Sequence, residues 1–328
     1  MKYILSNSFN PCFNLALEEY IFKTVGMQED FIILWQNENT IVIGRHQNTI
    51  EEINANFVQE NNIKVVRRIT GGGAVYHDLG NLNFSFITGY DKNNMIDYKK
   101  YTIPVINALK KLGVDAELSG RNDLTIDGKK FSGNAQSMHK GRILHHGTLL
   151  FDSNLDIIGK VLNVQLDKIQ SKGIKSVRSR VTNIKDYLRE GTDVNGFKEL
   201  LLKNLFENNI LEEYHLSEND LVSITKLKES KYDTWEWNYG KSPKFNFKNS
   251  KRFANGKLEV LLNVNSGLIN ECKIYGDFLA LCSVDELEEK LRGIRYEKSA
   301  IEYILSSVNL TQYFGNITLD EILECFFV

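Results

Sequence analysis

The chain has 328 residues, 42% of them hydrophobic and 25% charged, with a net charge of -2. That length favours about two domains, the composition is that of an ordinary globular protein, and the charge argues against the basic field that nucleic-acid binding needs. Apolar runs such as Phe31 to Trp35 are strand-sized, far below the ~18 residues of a membrane span, so no membrane association is expected. The N-terminus turns polar at Ser6-Asn7, too early for a signal peptide. Cys12, Cys272, Cys282 and Cys325 are scattered without a C-x-x-C pair, the pattern of free thiols in a reducing compartment. A cytoplasmic location follows as an expectation.

Asn10-Pro11 predicts a helix start, with a capping residue before proline; the helix runs through Asn14 to Phe22 and stops near Gly26. Two strands, Phe31 to Gln36 and Thr40 to Ile43, are joined by the polar turn Asn37 to Asn39. Gly44-Arg45-His46-Gln47-Asn48 ends the second strand. Arg45 and His46 there are either ligand contacts or a solvated turn. Ile53 to Asn61 reads as a short helix.

Lys64-Val-Val leads into Arg67-Arg68-Ile-Thr70-Gly71-Gly72-Gly73-Ala74-Val-Tyr76-His77-Asp78, then Asn81 and a strand through Ile87. Consecutive glycines let the backbone approach a ligand and its N–H groups converge on an anion. The two arginines add planar, permanently charged donors. A permissive hairpin loop is the plainer reading of three glycines; the flanking Arg-Arg and Tyr-His-Asp favour the functional one. No G-x-x-x-x-G-K-[ST] occurs, and Tyr76 stands where a dinucleotide fingerprint needs glycine.

Tyr98 to Leu112 is an amphipathic helix ended by Gly113, with Pro104 blurring its start. Asp127-Gly128 signals a two-residue hairpin. Pairing Ile126 with Lys129 places Leu124, Ile126, Lys129 and Phe131 on one face, and Asp123, Thr125, Lys130 and Ser132 on the other. In the strand from Gly141 to Asp152, adjacent His145 and His146 must face opposite sides. Six histidines without H-E-x-x-H argue against zinc. Leu155 to Leu162 is helical. Lys172 to Asn183, with Lys175, Arg178 and Arg180 among small hydroxyls, is either a solvated face or a phosphate-binding loop.

Phe197 to Phe206 and Tyr214 to Ser230 read as helices, and Thr234 to Gly240 as an aromatic-rich element. A boundary between Lys241 and Lys251 divides the chain into residues 1–245 and 246–328. Beyond it, Asn255-Gly256 marks a hairpin, Leu258 to Val264 alternate, and Asn270 to Phe278 is another strand. Three short helices follow, two with capping boxes at Ser283/Glu286 and Thr318/Glu321.

Three stretches together resemble the lipoate-protein ligase A family: Arg68-x-Thr70-Gly-Gly-Gly-Ala-Val-Tyr76-His77-Asp78, Gly120-Arg-Asn-Asp123 to Lys130-x-Ser132-Gly133, and His146-Gly147-Thr148. The likeness extends over Lys172 to Asn183, Trp235 to Gly240 and the small C-terminal domain, essentially the whole chain. It implies an α+β mixed-sheet catalytic domain like those of biotin protein ligases and class II aminoacyl-tRNA synthetases, plus a small α+β accessory domain. It implies a ligase that uses ATP and Mg2+ to convert lipoate to lipoyl-AMP, then passes the lipoyl group to a lysine. Acceptors would be lipoyl domains of 2-oxoacid dehydrogenase E2 subunits or the glycine cleavage H protein.

By the same resemblance, Lys130 is the catalytic lysine. Arg68 and Gly71, Gly72 and Gly73 line the lipoate and adenylate pocket, with Tyr76 and His77 packed beside it. Asn81, Asp123 and Lys130 hold phosphate and magnesium, Asp123 being the metal ligand. His146 meets the acyl tail or the entering lysine, and Arg178 to Thr182 closes over the adenylate. Ala74, Ser132, Gly133, Gly147 and Thr148 complete the set. The alternative is an octanoyl- or lipoyl-transferase without ATP, which would need a cysteine beside these motifs.

Overall fold

In the computed structural model, residues 1–25, 29–90, 97–162, 180–188, 191–206, 212–239, 246–265 and 267–327 are described. The N-terminal part contains β1 (Lys2–Leu5), β2 (Phe31–Trp35), β3 (Thr40–Ile43), β4 (Lys64–Arg67), β5 (Val75–His77), β6 (Asn81–Gly89), β7 (Glu117–Ser119), β8 (Asp123–Ile126), β9 (Lys129–His139), β10 (Arg142–Leu150) and β11 (Glu212–Glu213). Eight of them form a mixed sheet in the order β11-β1-β2-β6-β10-β9-β8-β7. β1 pairs in parallel with β2 and β11, whereas β2, β6, β10, β9, β8 and β7 run antiparallel in succession.

The helix α1 (Pro11–Lys23) forms where capping chemistry places it, since Asn10 Oδ1 accepts from the amides of Cys12 and Phe13 at 2.9 and 3.1 Å. It ends at Lys23; Gly26 lies outside the described residues. The turn expected to join β2 to β3 does not make them partners. β3 lies instead in a three-stranded sheet between β4 and β5. Every residue of β2 is buried, so it needs a neighbour on each edge, and β1 and β6 supply them. Asn14 on α1 grips Gln36 O and Asn37 Oδ1 and turns the chain out of the large sheet.

The short helix expected over Ile53 to Asn61 is Ala55–Glu60; a further turn of helix, Thr49–Glu52, precedes it, with buried Ile53 extended between the two. Lys99–Lys111 contains Pro104 within the helix and ends before Gly113 at φ +85. Asp127 and Gly128 both take positive φ, and Ile126 pairs with Lys129 as expected. A bulge between Leu124 and Thr125 then sets Leu124 opposite Ser132, which strict alternation does not foresee. His145 and His146 do face opposite sides: His145 stacks on Tyr101, whereas His146 reaches Glu18 of α1.

From Phe247 the chain builds β12 (Phe247–Phe253), β13 (Gly256–Asn265) and β14 (Leu268–Gly276), an antiparallel sheet with its own core. Four helices follow among the described residues, one more than expected: Asp285–Leu291, Lys298–Ser306, Leu310–Phe314 and Leu319–Phe326. Thr318 and Glu321 form the anticipated capping box. Ser283 and Glu286 do not, because Ser283 Oγ accepts from Arg45 and Glu286 bonds Tyr313 and Lys290.

The segment after β14 packs on the first domain. Gly72 N donates to Phe278 O at 3.1 Å, and Met138 N to Leu281 O at 2.9 Å. Arg45 Nη2 meets Asp285 Oδ2 at 2.5 Å, and His46 stacks on Phe278 at 5.1 Å. Arg45 and His46, candidate ligand contacts in the sequence, are therefore occupied by the contact between domains. No helix among the described residues is long and apolar enough to cross a membrane.

Candidate active site

A cavity of about 120 Å³ opens where β5, β6, β9 and β10 meet the glycine loop. Its buried lining includes Leu15, Trp35 and Val42 with Arg68, His77, Asn83 and His146, and its more exposed lining includes Asn122, Lys130 and Gly133. Neither Leu15, Trp35 nor Val42 stands out in the sequence, because an apolar wall and a core strand use the same residue types.

Lys130 is held by its backbone: its N–H donates to Arg180 O at 2.8 Å and its carbonyl accepts from Thr182 N at 2.9 Å. Thr182 thus acts through its main chain and is itself buried. The ammonium lies 2.7 Å from Asp123 Oδ1, with both side chains nearly 40% exposed. A Cβ on Gly133 would sit 3.0 Å from Lys130 Nζ, so this glycine is the space into which the lysine folds. Gly133 N donates to Thr148 Oγ1 at 3.2 Å, and Ser132 Oγ accepts from Asn134.

The glycine loop differs from the expected open cradle. Arg68 is buried and spends its guanidinium on Val42 O, Gly71 O, Gly73 O and Thr70 Oγ1, at 2.6 to 3.1 Å. It shapes the loop from behind while lining the cavity. Burial lowers its pKa to about 10, a shift that the charge of Glu18 opposes. Arg67 is likewise consumed, bonding Gly44 O, Gln47 O, Thr49 Oγ1 and Trp237 O. The reason is geometric: backbone carbonyls in tight turns need donors, and a five-donor fork satisfies several at once.

Of the other anticipated residues, Gly72, Gly73, Ala74 and His77 line the cavity, as do His146, Gly147 and Thr148. Tyr76 does not; alternation along β5 turns it into a separate apolar cluster with Ile41 and Ile43. Gly71 abuts Phe278 O and Ala280 N of the second domain. Asn81 is fully buried and donates to Asn83, which lines the cavity in its place. Arg178 lies outside the described residues.

Sequence reading missed Glu18. Its Oε1 meets His146 Nδ1 at 2.8 Å and accepts from Ser85 Oγ at 2.6 Å; Ser85 in turn accepts from Trp35 Nε1 at 2.8 Å. His146 Nε2 lies 2.7 Å from Thr70 Oγ1. The available signal was a carboxylate beside Leu15 to Leu17 on the buried side of a helix. Among the described residues no three His, Cys, Asp or Glu side chains gather to hold a metal. Asp123, paired with Lys130, is the carboxylate suited to a magnesium ion, which keeps waters and substrate phosphates as its other ligands.

Comparison with known proteins agrees with this geometry. Residues 10–206 match the lipoyl protein ligase A/B catalytic domain, and 242–326 the bacterial lipoate protein ligase C-terminus. The lipoate-protein ligase LplJ of Bacillus subtilis is 50% identical over 328 residues, covering 99% of each chain. A P. falciparum LipL1 structure in complex with lipoate aligns with TM-score 0.82 at 30% identity, covering 98% of both chains. A bipartite lipoate protein ligase solved as a lipoylation system with its E2 lipoyl domain, from Thermoplasma acidophilum, gives 0.66 at 31%, covering 75% of this chain and 98% of that one. A lipoate-protein ligase A bound with ATP gives 0.64 at 29%, covering 73% and 98%. With both domains matched and half the residues shared over its full length, the chain belongs to the lipoate-protein ligase family and is an enzyme of the ligase class.

Proposed function

We propose that this protein activates lipoate with ATP and transfers the lipoyl group to a lysine of a lipoyl domain or of the glycine cleavage H protein. The observation that carries this reading is Lys130, a part-exposed ammonium on a cavity whose buried lining includes the apolar side chains of Leu15, Trp35 and Val42. An acyl tail fits against those side chains and leaves its carboxylate at the lysine. In the first step a carboxylate oxygen attacks the α-phosphate and pyrophosphate leaves. Two anions approach each other there, and Lys130 offsets their repulsion. Magnesium, held by Asp123 and substrate oxygens, would supply further positive charge on the phosphates.

In the second step the acceptor's neutral amine attacks the mixed-anhydride carbonyl, AMP leaves with the bonding pair, and the new amide loses a proton. No protein nucleophile is required. The cysteines agree: among the described residues none lines the cavity, and burial pushes the Cys12 thiol up to about 12, whereas a thiolate nucleophile needs a depressed value. All four are free, as suits the reducing cytoplasm in which we place the reaction. Residues 1–245 act as the catalytic unit and 246–328 as the accessory one.

The test is pyrophosphate release from purified protein with Mg-ATP and lipoate, followed by addition of an apo lipoyl domain and mass measurement. Release followed by a lipoyl-sized mass gain is expected. Acyl exchange from an acylated domain without ATP would overturn the ligase reading in favour of a transferase.

A further inference from the structure

One polar group in the buried lining of the cavity has no work assigned to it. His77 is 3% exposed, packs edge-on to Trp35 with centroids 6.1 Å apart, and lines the cavity with Leu15 and Val42. Its tautomer follows from its neighbours. Asn14 Nδ2 donates to Ser8 O, Gln36 O and Asn37 Oδ1, at 2.8 to 3.0 Å. Asn37 therefore turns its amide nitrogen toward His77 Nδ1, 3.2 Å away. Nδ1 accepts, so the ring proton resides on Nε2. Burial, with Arg68 and His146 nearby, lowers the ring's pKa to about 3, which keeps it neutral. Nε2 has no hydrogen-bond partner among the described residues.

Nearby polar side chains are already engaged. His146 uses both nitrogens, and Asn83 donates to Trp35 O while accepting from Asn81. A fixed, neutral N–H donor thus lies in the buried lining with Leu15, Trp35 and Val42, whereas Lys130, where the carboxylate belongs, is part-exposed. A buried unpaired donor is costly. Beyond its carboxylate, lipoate offers two sulfurs as weak acceptors, and a plain alkyl acid offers none.

We propose that the Nε2–H of His77 is the specificity-determining group by which this site tells a sulfur-bearing acyl tail from an alkyl one. The inference rests on the lipoate reading above and names the atom that reads the tail. A methylene at the same place leaves the donor unpaired, whereas a ring sulfur receives it.

The experiment compares pyrophosphate release by wild type and His77→Phe with lipoate, octanoate and cyclopentyl-pentanoate, in which methylene groups replace both ring sulfurs. Wild type is expected to favour lipoate over the cyclopentyl acid about tenfold in kcat/KM, through KM, as a single hydrogen bond allows. His77→Phe is expected to level lipoate and the cyclopentyl acid. Wild type treating lipoate and the cyclopentyl acid alike overturns the proposal, and this comparison stands even where the variant fails to fold. Equal loss of all three acids in a folded variant also overturns it, because the donor would then serve the adenylate. Absence of release from any acid sinks the lipoate reading as well, whereas release without sulfur discrimination sinks only this inference.

Discussion

Glu18 and Arg68 are the charged ends of one buried chain. Glu18 bonds His146, His146 bonds Thr70, and Thr70 Oγ1 accepts from Arg68 Nε at 3.0 Å. Arg68 then holds the carbonyls of Gly71 and Gly73. The helix α1 and the glycine loop, about fifty residues apart in sequence, are thereby fixed to each other across the cavity wall.

Removing one end should leave the other uncompensated. Glu18→Ala is expected to destabilise the protein by about 3 kcal/mol, the range for breaking a buried charge network. Urea unfolding measures this. A loss below about 1 kcal/mol would mean that the two charges are not coupled.

Lys130→Ala should lower pyrophosphate release by at least about a hundredfold, the effect of deleting a charge placed for the transition state. The fold should survive, because the Lys130–Asp123 pair is nearly 40% exposed and contributes about 1 kcal/mol or less. A melting curve alongside the rate separates the two effects; near-normal turnover in a folded variant would remove Lys130 from the chemistry.

Gly72 takes φ +90, and a Cβ there would lie 3.1 Å from Arg68 Nη2 and from Leu279 Cδ2. Gly72→Val combines backbone strain with crowding on two sides. About a tenfold rise in the KM for lipoate is expected, read by pyrophosphate release against lipoate concentration. An unchanged KM would show the loop to be only a connector.

Acid stability should depend on Glu19. Burial alone would raise its pKa, but the ammonium groups of Lys231 and Lys23 outweigh that and hold it at about 2. Because the folded value lies below the unfolded one, the contribution is complete above about pH 4.5 and fades as pH falls toward about 2. It amounts to about 3 kcal/mol. Urea midpoints from about pH 6 down to about pH 3 should drop more steeply in wild type than in Glu19→Gln; parallel curves would refute the assignment.

Much of the fold was legible where local chemistry decides it. Asn10-Pro11, Asp127-Gly128 and the Thr318/Glu321 box each act within a few residues, and all three stand where their spacing puts them. Readings failed where a distant partner decided. β2 and β3 look like neighbours in sequence but belong to different sheets. Ser283/Glu286 has the spacing of a capping box, yet Arg45 from the other domain takes the serine.

By itself the sequence determined the Asp127-Gly128 hairpin, the meeting of Lys130 with Asp123, and the opposed faces of His145 and His146, since each depends on turn chemistry, charge or strand alternation within a short stretch. Only the tertiary structure decided what Arg67 and Arg68 do. A guanidinium reads the same in sequence whether it faces an anion or a carbonyl, and packing delivered the carbonyls. The same holds for Glu18 and His77. Their roles depend on which residues far along the chain lie about 3 Å away, and that distance exists only after the sheets close around the cavity.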